Sequence, residues 1–172
     1  MKRNQTAFLK LCLADALIKL MDTKDFSEIN VNAICRKANI GRTTFYRYFE
    51  SKNSKEDLLI FKILYEWEQY AARHTGIQQE KDFGLTGYIY ENRELFTKLY
   101  RSGLITVIMR AFEELIPAGE PQDKPSSYLF SFFTYGYFGI IYQWIKYDFD
   151  ETPEQIQQHI TNTLAAGLRK KE

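Results

Sequence analysis

The chain has little of the chemistry that builds catalytic or metal centres. Among its 172 residues there are two cysteines and two histidines. Cys12 and Cys35 fall inside predicted helices at a spacing that suits no metal site, which leaves them as small apolar residues of a core. His74 and His159 are far apart and have no cysteine or acidic neighbour at ligand spacing, so neither a metal nor a cofactor is expected. No nucleophile stands beside a base. Glu113-Glu114 and the pair Glu91 and Glu94 read as solvated helix faces, and Gly84-Leu85-Thr86-Gly87 lacks the preceding strand and the lysine of a phosphate loop. Catalysis is therefore not expected. Three of the four prolines, at 117, 121 and 125, are gathered in one loop, PAGEPQDKP, and no repeat or low-complexity tract is visible. The first apolar stretch, Phe8 to Met21, is broken by Lys10, Asp15 and Lys19 and reads as an amphipathic helix rather than a secretory leader, which gives a cytoplasmic expectation.

What is present is unevenly distributed. The net charge of +1 conceals a basic N-terminal part: residues 1 to 62 carry 12 Lys or Arg against 7 Asp or Glu, and the remaining 110 carry 11 against 15. An excess of positive charge suits a phosphate-binding surface.

The same basic part holds two short apolar stripes. VNAICRKA (31–38) places Val31, Ile34 and Ala38 on one helix face, and GRTTFYRYF (41–49) places Phe45 and Phe49 at i, i+4. Between them, Asn39-Ile40-Gly41 forms a turn in which Asn39 tolerates positive φ and Ile40 plugs the angle. With Phe45 and Phe49 inward, the second helix exposes Arg42, Thr43, Thr44, Tyr46, Arg47 and Tyr48, a set of donors without a carboxylate. This is the pattern of a helix-turn-helix that reads DNA.

The stretch from about Thr6 to Leu59 resembles the DNA-binding domain of the TetR family of bacterial transcriptional regulators. The resemblance rests on Thr43-Thr44-Phe45-Tyr46-Arg47-Tyr48-Phe49 followed by Ser51-Lys52, a specific signature. Ala38-Asn39 stands where the family usually has Ala-Gly, and Gly41 where it usually has a Ser cap; both are physically acceptable. The resemblance implies a homodimer on double-stranded palindromic operator DNA, acting as a repressor released by a small apolar or aromatic effector. It further implies that Arg42 addresses guanine, that Thr43 or Thr44 meets a base edge or thymine methyl, and that Asn32, Tyr46, Tyr48 and a lysine hold phosphates. Ser51-Lys52-Asn53 precedes a second Ser54-Lys55, so either Lys52 or Lys55 is the phosphate lysine. The usual spacing of Lys52 from Phe49 favours a helix that starts at Ser51. An activator and a DNA-organising or protein-interaction protein without a metabolite effector remain as alternatives.

Helical periodicity continues to the C-terminus, giving an all-α expectation: a three-helix reader domain (1–53) joined by a long helix to a helical effector-binding and dimerisation domain (54–172). A first helix over about 5–22 uses Leu9, Leu13, Ala16, Leu17 and Leu20 as its core stripe. A long helix runs from about Ser54 to His74, a lever able to transmit movement. A helical region over about 83–116 is expected to break near Ser102-Gly103.

Aromatics crowd this second part. Tyr65, Tyr88, Phe96 and Tyr100 are effector-pocket candidates, as are Phe112, Phe133 and Tyr137, although such residues also simply fill cores. Residues 126–145 are twenty residues without a charge, but four tyrosines, three serines, a threonine and a glutamine make a membrane span unexpected. Phe130, Phe133, Tyr137, Ile141 and Trp144 are assigned to the chain's own core, whereas Tyr128, Phe132, Tyr135, Gly139 and Tyr142 are assigned to a partner subunit. The last helix is signed by a Thr152 cap, Pro153 and Gln155. Its stripe, Ile156, Ile160, Leu164 and Leu168, is expected to complete a four-helix dimer interface.

Overall fold

The computed structural model describes residues 2–51, 53–74, 84–116 and 123–169, with side chains for those between 5 and 163. Among the described residues there are nine α-helices, one 3-10 turn and no strand, the all-α class expected. They form two compact units, Met1–Glu66 and Trp67–Glu172.

The first unit contains α1 (Lys2–Leu20), a 3-10 turn at Phe26–Glu28, α2 (Val31–Ala38), α3 (Arg42–Tyr48) and the beginning of α4 (Ser54–His74). Leu13, Ala14, Ala16 and Leu17 of α1 are buried with Ile34, Phe45, Leu58 and Ile63. Leu9 and Leu20, expected in the same stripe, are only half-buried. Removing a side chain such as Phe45 from water stabilises the unit by roughly 1.5–3 kcal/mol, so this small core depends on each of its members. One ionic contact ties α1 to α4: Lys62 Nζ lies 2.8 Å from Asp15 Oδ1 and 2.5 Å from Glu66 Oε1. Burial alone would lower the Lys62 pKa, but hydrogen bonds and charge from Asp15 and Glu66 outweigh it and raise the value.

The start of α4 agrees with the expected span from Ser54 to His74 and corrects the preference for Ser51. The helix begins at Ser54, not Ser51. The Ser51 hydroxyl binds the Asp57 carboxylate and accepts from the Asn53 N–H, while the Asp57 N–H donates to the Asn53 carbonyl. Ser51 thus makes a local hydroxyl turn that competes with the helix, as Ser side chains commonly do.

The second unit contains α5 (Gly84–Glu91), α6 (Arg93–Arg101), α7 (Ile105–Leu115), α8 (Lys124–Lys146) and α9 (Pro153–Arg169), after the end of α4. The expected break at Ser102-Gly103 is there, with Gly103 at φ 72, a conformation that suits glycine. An unexpected break precedes it at Asn92, whose backbone N–H and Nδ2 both donate to the Tyr88 carbonyl, at 3.1 and 2.9 Å. At the other end, Thr152 and Gln155 form the expected reciprocal capping box, Gln155 Oε1 accepting from the Thr152 N–H at 2.8 Å.

The α8–α9 turn is closed by aromatics. Phe149, at φ 57, packs 4.9 Å from the Trp144 ring, and Trp144 stacks on Tyr90 at 5.6 Å. The Trp144 indole N–H donates to the Glu151 carbonyl. Among the described residues no helix is long and apolar enough to cross a membrane.

Candidate nucleic-acid interface

Capping groups fix the geometry of α2 and α3. Asn30 caps α2 by accepting from the Ala33 N–H at 3.0 Å. The helix ends at Asn39 in the left-handed region (φ 55, ψ 41), and Ile40 N–H reaches back to the Cys35 carbonyl at 3.0 Å. This is the turn expected from the sequence. Gly41 precedes α3 without a side-chain cap. Phe45 and Phe49 are buried, their rings 5.6 Å apart.

That inward pair turns the predicted reading face outward. Arg42, Thr43, Tyr46 and Arg47 are exposed, Thr44 is half-buried, and the span 31–48 contains no acidic residue. Arg42 Nη1 donates to Asn32 Oδ1 at 3.4 Å, which links the first turns of the two helices. Arg42 and Asn32 also line both of two adjoining surface concavities. One, of about 660 Å³, includes Arg36, Asn39 and Gly41; the other, of about 480 Å³, includes Ser27, Asn30 and Tyr46. Beneath the first, burial pushes the Cys35 thiol pKa up, against the opposing charge of Arg42.

Two other candidates are differently placed. Tyr48 is half-buried, with its hydroxyl 3.4 Å from Thr6 Oγ1 and Lys10 Nζ 5.4 Å from its ring, so it faces α1. Lys55 is already engaged: its ammonium donates to the Phe26 and Ile29 carbonyls at 2.7 and 2.9 Å. Sequence reasoning missed this role, since nothing in the local pattern pairs Lys55 with a turn 26 residues away. Lys52 lies outside the described residues.

The effector candidates fall in both units. Tyr65 belongs to the first unit and packs 5.9 Å from Phe61. In the second unit Tyr88, Phe96 and Phe112 are fully buried, and the Tyr88 ring meets Trp67, Tyr70 and Phe96 edge-on. Tyr137 donates or accepts at 2.7 Å with Thr86 Oγ1, and burial raises its pKa against that bond. Tyr100 lies edge-on to Tyr142 at 5.8 Å. Phe133 is a correction: it is 43% exposed and does not belong to the core, nor does Phe130 at 41%. Among the described residues, this end of α8 is left largely exposed.

Among the dimer candidates, Phe132 (70% exposed) and Tyr135 are exposed, whereas Gly139, Tyr142 and Ile160 are half-buried. Tyr135 also donates to Glu113. Ile156, at 3% exposure, is buried in the chain's own core, so it is not free for a partner, a second correction. The side chains of Leu164 and Leu168 lie outside the described residues.

Comparisons with known proteins bear on both units. Residues 13–60 match the model of the family described as bacterial regulatory proteins, tetR family, and residues 66–166 match a transcriptional regulator C-terminal region of TetR type. A search of curated proteins finds no match.

Proposed function

Since the chain belongs to the TetR family of bacterial regulatory proteins, DNA-binding regulators of transcription, we propose that it is a homodimeric repressor of a palindromic operator. Its main support is the exposed face of α3: Arg42, Thr43, Tyr46 and Arg47 present donors to solvent with no carboxylate in the surrounding span 31–48. In the major groove Arg42 addresses a guanine edge and Thr43 or Thr44 an adjacent base or thymine methyl. Tyr46 and Arg47 hold phosphates, and Asn32 orients Arg42. The exposed aromatics of α8, Phe132 and Tyr135 foremost, form the contact with the second subunit. Two-fold symmetry then sets the half-site spacing.

Release is assigned to a small apolar or aromatic effector taken up in the second unit beside Tyr137 and Tyr100. The closed aromatic packing around Tyr88, Phe96 and Phe112 favours a second reading, in which the same reader works without a metabolite. Selection from a random duplex library tests the DNA claim. A palindrome with two half-sites should be enriched, and recovery of no enriched sequence contradicts the claim. A thermal-shift screen of small aromatic compounds separates the two readings: a stabilising compound that also releases DNA supports the effector.

A further inference from the structure

Lys55 is the second residue of α4, yet its ammonium reaches back across the first unit to the 3-10 turn that precedes α2. It donates to the Phe26 carbonyl at 2.7 Å and to the Ile29 carbonyl at 2.9 Å, and stands 4.2 Å from the centre of the Phe26 ring. The Phe26 carbonyl already accepts from the Ile29 N–H, so the lysine closes over an existing turn. Ile29 is itself buried, at 1% exposure, and is followed directly by Asn30, the cap of α2. Asn32, which receives Arg42, is two residues further on. A hydrogen bond from a charged donor to a carbonyl is worth more than a neutral one, and two such bonds with a cation–π contact fix the chain entering α2.

The geometry points to Lys55 as a positioning residue: it clamps the start of α2 to the start of α4 and so sets where Asn32 and Arg42 stand, and it contacts no phosphate. The inference rests on the DNA-reading role proposed above, but it makes a separate prediction about the protein alone. A lysine that neutralises a phosphate contributes to counterion release; a lysine spent on two carbonyls does not.

The test compares the full chain with Lys55→Met, which keeps length and removes the donors, and Lys55→Arg, which keeps charge and donors. Amide exchange is read without DNA at Ala33 and Ile34, whose N–H groups bond Asn30. The clamp predicts exchange there faster by roughly tenfold in Lys55→Met, with α1 amides unchanged and protection largely kept in Lys55→Arg. Affinity for the selected palindromic duplex is then measured at several salt concentrations. Lys55→Met is expected to bind several-fold more weakly with the same salt slope. Unchanged exchange at Ala33 and Ile34, or an equal rise across α1, α2 and α3, overturns the clamp. So does a slope shallower by about 2, the loss of one phosphate contact per subunit of a dimer. If the unaltered chain binds no duplex, the DNA reading fails while the exchange measurement still decides the clamp.

Discussion

Arg42 and Asn32 join the two reader helices: the guanidinium donates to the amide oxygen at 3.4 Å, across ten residues of sequence. An arginine held in this way enters a groove with part of its side-chain freedom already removed. Arg42→Ala is therefore expected to cost about 1–3 kcal/mol at the operator and to relax preference at one base position. Asn32→Ala should weaken binding less and leave base preference in place. Titrations on operator variants check both, and an unchanged preference in the Arg42 variant removes that residue from the reading set.

Gly139→Arg tests the subunit interface. A Cβ at Gly139 would meet no atom within 4 Å beyond its flanking residues and its own helix backbone, so a side chain there has room to begin. In a dry interface the added charge is strongly unfavourable. The variant should sediment as a folded monomer and bind the operator poorly; an intact dimer places the interface elsewhere.

Tyr137→Phe removes one partner of the bond to Thr86, a residue only 1% exposed. The second unit should lose about 0.5–1.5 kcal/mol, the usual net value of such a bond, with the fold retained. Urea denaturation followed by circular dichroism would show it. If Tyr137 also orients an effector, the variant loses release without losing DNA affinity.

The local features were legible because local chemistry decides them. Asn39 in the left-handed region, the Phe45 and Phe49 pair, the Gly103 break and the Thr152–Gln155 box all follow from residues within a few positions of each other. Between Ser51 and Ser54, both good caps, the Lys52 spacing favoured Ser51; the Asp57 carboxylate and the Asn53 carbonyl decide for Ser54. Lys55 was unreadable for a different reason, its partners lying 26 and 29 residues away. On α8 the periodicity correctly turned Ile141 and Trp144 inward, but it also placed Phe130 and Phe133 there. An apolar stripe does not record where the neighbouring helices end.

Alkaline pH should loosen the first unit through Lys62. Its folded-state pKa lies above the unfolded value, so the contribution of the Asp15–Lys62–Glu66 contact is complete below the unfolded pKa and is lost as pH rises through the folded one. Lys62→Met should lower stability at neutral pH by about 1–3 kcal/mol and flatten this part of the alkaline decline. Stability curves of the two proteins between neutral and strongly alkaline pH compare directly, and parallel curves contradict the assignment.

The central claim, that the basic first unit is a DNA surface used in pairs, is tested most directly by the salt dependence of operator affinity. With Arg47 and further basic side chains of the first unit neutralising about four phosphates per subunit, about eight per dimer, the slope of log affinity against log salt should lie near −7. A slope near zero would contradict the account.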